Sequence, residues 1–215
     1  MRRLIAIYLI FLSACSSASA ATLPAPALDE TPGSTSADRF AVFAGGCFWG
    51  IEAVFDHVQG VKKVTSGYSG GTASTANYDT VSTGKTRHAE SVQVVYDPAQ
   101  VSYGRLLHVL FSVAHDPTQL NRQGPDQGPQ YRSVIFFASP EQQRIAEAYI
   151  DQLNSAKVFR KSLVTEVVPL DVFYPAEAYH QDYATHHPTD LYIVINDAPK
   201  VERLRQQFPQ LYRQR

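Results

Sequence analysis

The sequence predicts an α+β fold, a two-layer α/β sandwich in which helices cover a mixed sheet. Three observations predict it. Apolar runs of strand length are interleaved with helix-period stretches, several strand signals follow one another directly, and no internal repeat organises them. A chain of 215 residues that is 44% hydrophobic and 11% aromatic can fill one core, which argues against global disorder. A formal net charge of −1 leaves no basic footprint for nucleic acid.

Taken in order, Phe40–Ala44 is a short apolar run that reads as a strand, Gly45-Gly46 as a tight turn, and Cys47 to about His57 as an amphipathic helix. Val61–Ser69 and Glu90–Tyr96 read as strands, the second through the alternation of Val92, Val94 and Tyr96. Tyr103–Val113 reads as a helix, Tyr131–Ala138 as a strand, Pro140–Leu153 as a helix and Leu163–Pro169 as a strand. Lys200–Gln207 reads as a terminal helix. Two long segments lack periodicity. Ser69–His88 is one, and His115–Gln130, with three prolines and two glycines, is the other. Segments of this length inside a compact domain usually carry function or lack order.

The N-terminus reads as an export signal. Arg2 and Arg3 precede the apolar Leu4–Leu12, which is too short to span a bilayer as a helix. Leu12-Ser13-Ala14-Cys15 resembles a bacterial lipobox, which would make Cys15 a lipidated N-terminus. Ala18-Ser19-Ala20 offers ordinary cleavage instead. The expected organisation is a signal over 1–15 (or 1–20), a flexible linker rich in Ser, Ala, Thr and Pro over 16–38, and one domain over 39–215. The expected location is the periplasm, or a membrane through the lipid anchor. Cys47 is then the single cysteine of the mature domain, which excludes an internal disulfide framework.

Cys47 stands at a predicted helix start, where free N–H groups and the helix dipole favour a thiolate. Phe48 and Trp49 beside it offer an apolar wall. A buried structural cysteine among core aromatics is the alternative. Glu90 in an apolar pocket would have a raised pKa and serve as a general acid; otherwise it is a solvated strand-end carboxylate. Tyr78 and Tyr131 are candidate donors to a developing oxyanion, or packing. Asp126 is a turn residue or a support for the site. His88 with Cys47 suggests a thiol hydrolase if an orienting group is at hand. His180, His186 and His187 lack a companion ligand cluster, so no metal is expected. Gly70-Gly71 lacks the lysine of a phosphate loop.

Together these residues resemble the A-type peptide methionine sulfoxide reductase family. Gly46-Cys47-Phe48-Trp49-Gly50 is similar to its signature, and Gly67-Tyr68-Ser69-Gly70-Gly71 to the next block. Further similar blocks are Tyr78–Gly84 with His88-Ala89-Glu90, His115–Thr118 with Gln123–Ser133, and Tyr179-His180-Gln181. The resemblance runs from about Phe40 to Pro209. It implies a ferredoxin-like core, Cys47 as nucleophile, Glu90 as acid, and Tyr78 and Tyr131 on the sulfoxide oxygen. Phe48 and Trp49 would hold the S-methyl group and Asp126 would support the site. It implies action on the S epimer of methionine sulfoxide, free or in peptides, with no cofactor. Arg87 and Pro129 depart from the family's usual small residue and threonine. No resolving cysteine follows Tyr179, so a sulfenic acid on Cys47 would need an external, thioredoxin-like thiol. The expected form is a monomer.

The two readings of the N-terminus are separable. If Cys15 is lipidated, Cys15→Ser should release the protein from membranes or block its processing. An unmodified mature N-terminus at Ala21 by mass spectrometry would establish ordinary cleavage.

Overall fold

The computed structural model describes residues 23–30 and 37–215. The expected signal over 1–15, Cys15 included, lies outside the described residues. In chain order the elements are β1 (Arg39–Gly45), α1 (Phe48–Asp56), β2 (Val61–Ser69), α2 (Tyr78–Val81), β3 (Ala89–Tyr96) and α3 (Tyr103–Val109). There follow β4 (Arg122–Gln123), β5 (Asp126–Gln127), β6 (Ser133–Phe137), α4 (Pro140–Ser155), β7 (Glu166–Pro169), β8 (Phe173–Pro175), α5 (Tyr183–His186) and α6 (Ala198–Gln207).

Six strands form one sheet in the order β7-β6-β1-β3-β2-β8, and β4 and β5 form a separate small ladder. Among the described residues only β6 and β7 pair in parallel. The central run β6-β1-β3-β2, connected β1-α1-β2-β3-α3-β6, is the split βαβ arrangement of a ferredoxin-like core. Each helix crosses over to a strand that is not its neighbour. The turn before α1 and the start of β3 therefore meet at one end of the sheet, with Ala44 opposite Ser91.

Strand alternation sorts the apolar side chains onto two faces. Ala41 and Phe43 join Ile51, Val54 and Phe55 of α1, Leu106 and Leu107 of α3, and Ile145 and Tyr149 of α4 in the main core. Val42 and Ala44 join Ala89, Val134 and Phe136 in a small cluster that contains no helix residue. The helices thus cover one face, and the molecule has two layers.

The long segments are ordered by local polar bonds rather than by apolar periodicity. Asn77 caps α2 through Thr80 N–H at 3.0 Å. Asp116 gathers the Thr118 N–H and hydroxyl at 2.9 and 2.7 Å. Tyr131 closes a 3₁₀ turn and does not open the strand, which starts at Ser133; likewise β7 starts at Glu166 rather than Leu163.

One expectation is corrected. Residues 23–30, read as part of a flexible linker over 16–38, are docked on the domain. Their few large apolar residues hid the polar bonds that hold them. Asp29 accepts from Gly104 N–H at 2.7 Å and from the Ser102 hydroxyl at the head of α3. Glu30, 7% exposed, accepts from Tyr103 N–H at 2.9 Å, Tyr96 Oη at 3.3 Å and Arg39 at 2.5 Å. Removing a buried acceptor with several charge-assisted bonds costs about 2–3 kcal/mol. Glu30→Ala should therefore lower the urea midpoint of the domain by that equivalent; an unchanged midpoint would mean the docking adds nothing to stability.

Candidate active site

The site is built on the turn between β1 and α1. Gly46 has φ +104°, a conformation that side-chain-bearing residues rarely adopt, and a Cβ there would strike the Gln123 side chain. Gln123 in turn bonds both Asp116 N and Asp116 O at 3.1 Å, so the long loop is tied across itself where this side chain lies against Gly46. Cys47 follows as the N-cap of α1, with its side chain 8% exposed.

The first N–H of α1 finds its acceptor on the neighbouring strand: Phe48 N–H donates to Glu90 Oε2 at 3.2 Å. Glu90 is 2% exposed. Burial pushes its carboxyl up to about 8, the charge of Asp126 adds to this, and the Phe48 N–H opposes it. Glu90 is therefore a protonated acid at neutral pH. The expectation of a thiolate at Cys47 is corrected. The Trp49 N–H and Lys200 favour the thiolate, but burial above all, with Asp197 and, once it is ionised, Glu90, outweighs them and holds the thiol protonated.

Two phenols complete the polar side. The ionisation of Tyr131 is raised by burial and then by the charges of Glu90, Asp126, Cys47 and Tyr78. Tyr78 is raised by burial, then by Glu90 and Cys47. Both phenols remain donors. Glu177 fixes Tyr78 by accepting its N–H at 2.9 Å and binding Tyr68 Oη at 2.9 Å.

The apolar side is an aromatic wall. Phe48 is almost fully buried, 5.0 Å from the His180 ring, and backs the partly buried Trp49 at 6.4 Å. Tyr183 stacks on Trp49 at 3.8 Å and 9°. His180 lies 4.5 Å from the Tyr78 ring, and burial lowers its pKa. It belongs to this wall. Among the described residues no group of His, Cys, Asp or Glu is placed to hold a metal ion. Asp126 sits on β5 and accepts from Tyr192 Oη at 2.5 Å. Arg87 and Pro129 line a cavity with Gly70, Gly71 and Arg132, and Arg132 donates to both of their carbonyls.

The hydrolase reading loses its base. His88 is fully buried, its Nε2 lies 3.0 Å from Thr72 O, and its ring packs edge-on against Tyr68 and Tyr174. Sequence reasoning missed Tyr183, Tyr192 and Glu177. Their available signal was weak: one tyrosine in a polar stretch (Tyr183), one inside the apolar run Leu191–Ile195 (Tyr192), and a glutamate three residues before His180.

Residues 39–212 match the family model described as peptide methionine sulfoxide reductase. The chain is 57% identical over 188 residues to peptide methionine sulfoxide reductase MsrA 2 of Synechocystis sp., covering 86% of this chain and 88% of that protein. It is 57% identical to the protein of the same name from Mesorhizobium japonicum, covering 86% and 94%. Among solved structures, reduced Mxr1 from Saccharomyces cerevisiae aligns with a TM-score of 0.65 at 32% identity, covering 71% of this chain and 87% of that one. Methionine sulfoxide reductase A of Corynebacterium diphtheriae aligns with 0.62 at 37% identity, covering 73% and 78%.

The electrostatics of the empty site are directly testable. Iodoacetamide should alkylate Cys47 far more slowly than a free thiol at pH 7. At pH 9, where Glu90 is ionised, Glu90→Gln should speed the reaction severalfold by removing the charge that disfavours the thiolate. Alkylation as fast as a free thiol at pH 7 would contradict the buried-thiol account.

Proposed function

The chain belongs to the peptide methionine sulfoxide reductase family and is an oxidoreductase that reduces methionine sulfoxide to methionine; from that premise we propose how its residues do so. The observation that carries the reading is a buried Glu90, its carboxyl pushed up to about 8, bonded to the N–H next to Cys47 near an aromatic wall and two phenols.

The S-methyl group of the substrate lies against Trp49, with Phe48 behind it, and Asp126 supports the rim. The sulfoxide oxygen faces Glu90, Tyr78 and Tyr131. Because neither Cys47 nor Glu90 favours its charged form in the dry site, ionisation waits for that oxygen. Glu90 passes its proton to the oxygen and recovers one from the Cys47 thiol, and the thiolate attacks the substrate sulfur. The phenols stabilise the charge developing on oxygen. The Cys47–substrate S–S bond and the substrate S–O bond then break as the hydroxyl passes to Cys47 Sγ, leaving a sulfenic acid that carries the proton given by Glu90 while Glu90 holds the thiol's; the methionine sulfur gains two electrons and Cys47 loses two. One external thiol then displaces water to give a mixed disulfide, and a second thiol releases Cys47.

The handed arrangement of methyl wall and oxygen donors suits one sulfoxide epimer, and we assign the S form, free or in proteins. Cys47 is the single cysteine of the mature domain, so the reductant is external and thioredoxin-like in chemistry. The N-terminal signal makes this an exported enzyme, periplasmic or held to a membrane through Cys15, acting as a monomer in repair of oxidised proteins.

Two outcomes test the scheme. Glu90→Gln should slow single-turnover reduction by roughly 10²–10⁴-fold, and the wild-type rate should fall as pH rises past about 8, where Glu90 loses its proton. An unchanged rate in Glu90→Gln would refute the acid role. Without added thiol the mature domain should release about one methionine per enzyme and leave a dimedone-reactive Cys47. A burst of two would contradict the single-cysteine scheme.

A further inference from the structure

The C-terminal helix carries its apolar residues outward where it passes the site. From Leu191 the chain runs helical through the π-turn Ile193–Asp197 into α6. Between Leu191 and Pro199 five residues are exposed, Leu191, Val194, Ile195, Ala198 and Pro199, and all five are apolar. They recur at i, i+3, i+4, i+7 and i+8, the spacing of a stripe that ordinarily faces a core. The charged residue of the same stretch goes inward: Asp197 is fully buried and pairs with Lys200 at 2.9 Å. Leu191 and Ile195, at 75% and 67%, are the most exposed large hydrophobic side chains among the described residues.

The stripe is continuous with the pocket. Tyr192 donates its hydroxyl to Asp126 Oδ2 at 2.5 Å and meets the Trp49 ring edge-on at 6.0 Å. Leu191 directly precedes Tyr192 and Ile195 stands three residues after it, so the stripe flanks a residue that touches the aromatic wall. Exposed Tyr179 lies ring to ring with His180 of that wall at 4.2 Å. Among the described residues eight large hydrophobic side chains are exposed. Four of them, Tyr179, Leu191, Val194 and Ile195, fall in the segment 179–195 that also supplies His180, Tyr183 and Tyr192. Exposed apolar surface gathered at the rim of a site marks a place where a partner docks.

We propose that the stripe around Leu191, Val194 and Ile195 is an extension of the substrate site that receives the apolar residues flanking an oxidised methionine in a polypeptide. The inference rests on the reductase reading of Cys47. Methionine packs in apolar interiors, and its oxidation puts a polar group there and disrupts the packing. The sulfoxide therefore reaches the enzyme together with apolar neighbours that have lost their own core. With the sulfoxide in the pocket, the neighbouring side chains of its chain lie over the rim, and burying them against Leu191 and Ile195 favours sulfoxides from apolar segments.

The test uses two short blocked peptides with one central methionine sulfoxide, flanked by leucine and valine in one and by serine and glycine in the other, with dithiothreitol as reductant. N-acetylmethionine sulfoxide is the control without flanks. Wild type should prefer the apolar peptide through a lower KM. The double variant Leu191→Ser, Ile195→Ser should lose about tenfold in kcat/KM on that peptide, through KM, the effect of leaving part of two aliphatic contacts unburied. Its kinetics on the serine–glycine peptide and on N-acetylmethionine sulfoxide should stay as in wild type. An equal loss on all three substrates would mean that these residues only support Tyr192, and would overturn the proposal, as would a preference that the variant keeps. A raised KM for thioredoxin with unchanged peptide kinetics would give the face to the reductant, and a wild-type dimer that the variant dissolves would give it to a second copy of this chain; either overturns the proposal. Wild type inactive on N-acetylmethionine sulfoxide would instead remove the reductase reading beneath it.

Discussion

The hydrogen bond from Phe48 N–H to Glu90 is the contact on which the chemistry depends. It joins the first turn of α1 to the start of β3, two elements that the split βαβ topology brings to the same end of the sheet. It satisfies a helix-terminal N–H that has no partner within its own helix. It also holds a carboxyl in a place dry enough to keep its proton near neutral pH. A carboxyl kept neutral above its usual range binds more protons folded than unfolded. Stability therefore falls as pH rises from the unfolded value of about 4.3 toward about 8. The fold bears this cost at the place where the reaction needs an acid.

Around that bond, the remaining groups divide by chemistry. The phenols of Tyr78 and Tyr131 approach from two loops that have no core of their own, and each loop is fixed by polar clamps. Glu177 holds the backbone of Tyr78, and Gln123 ties the long loop across itself beside the glycine turn. The aromatic wall comes from α1 and the C-terminal segment, with Trp49 pressed between Phe48 and Tyr183. Because oxygen donors and apolar wall lie on different elements, a sulfoxide can be gripped at both ends of its dipole at once.

Much of this was legible in the sequence. The strand–turn–helix around Gly45-Gly46-Cys47, the alternation of β3 and the amphipathic α4 follow from periodicity and turn chemistry that tertiary packing does not override. Cys47, Glu90, Tyr78, Tyr131 and Trp49 are singled out through the family resemblance of their motifs, since residue type alone leaves structural readings open for each. Three things were not legible. Residues 23–30 are bound by Asp29 and Glu30, and carboxylate bonds to a distant helix start leave no periodic trace. The thiol of Cys47 is held protonated because burial among elements distant in sequence outweighs the helix terminus. Tyr183 and Tyr192 enter the site through contacts to Trp49 across more than a hundred residues of chain and, for Tyr192, to Asp126 across 66.

The central claim is that Glu90 carries a proton in the resting enzyme at neutral pH. Carbon-13 NMR of the domain labelled at glutamate carboxyls, with Glu90→Gln used to assign the resonance, reads that proton directly. The account predicts a protonated Glu90 carboxyl at pH 7 that titrates near 8. A resonance already ionised at pH 7, with a midpoint near the ordinary glutamate value of about 4.3, would contradict it.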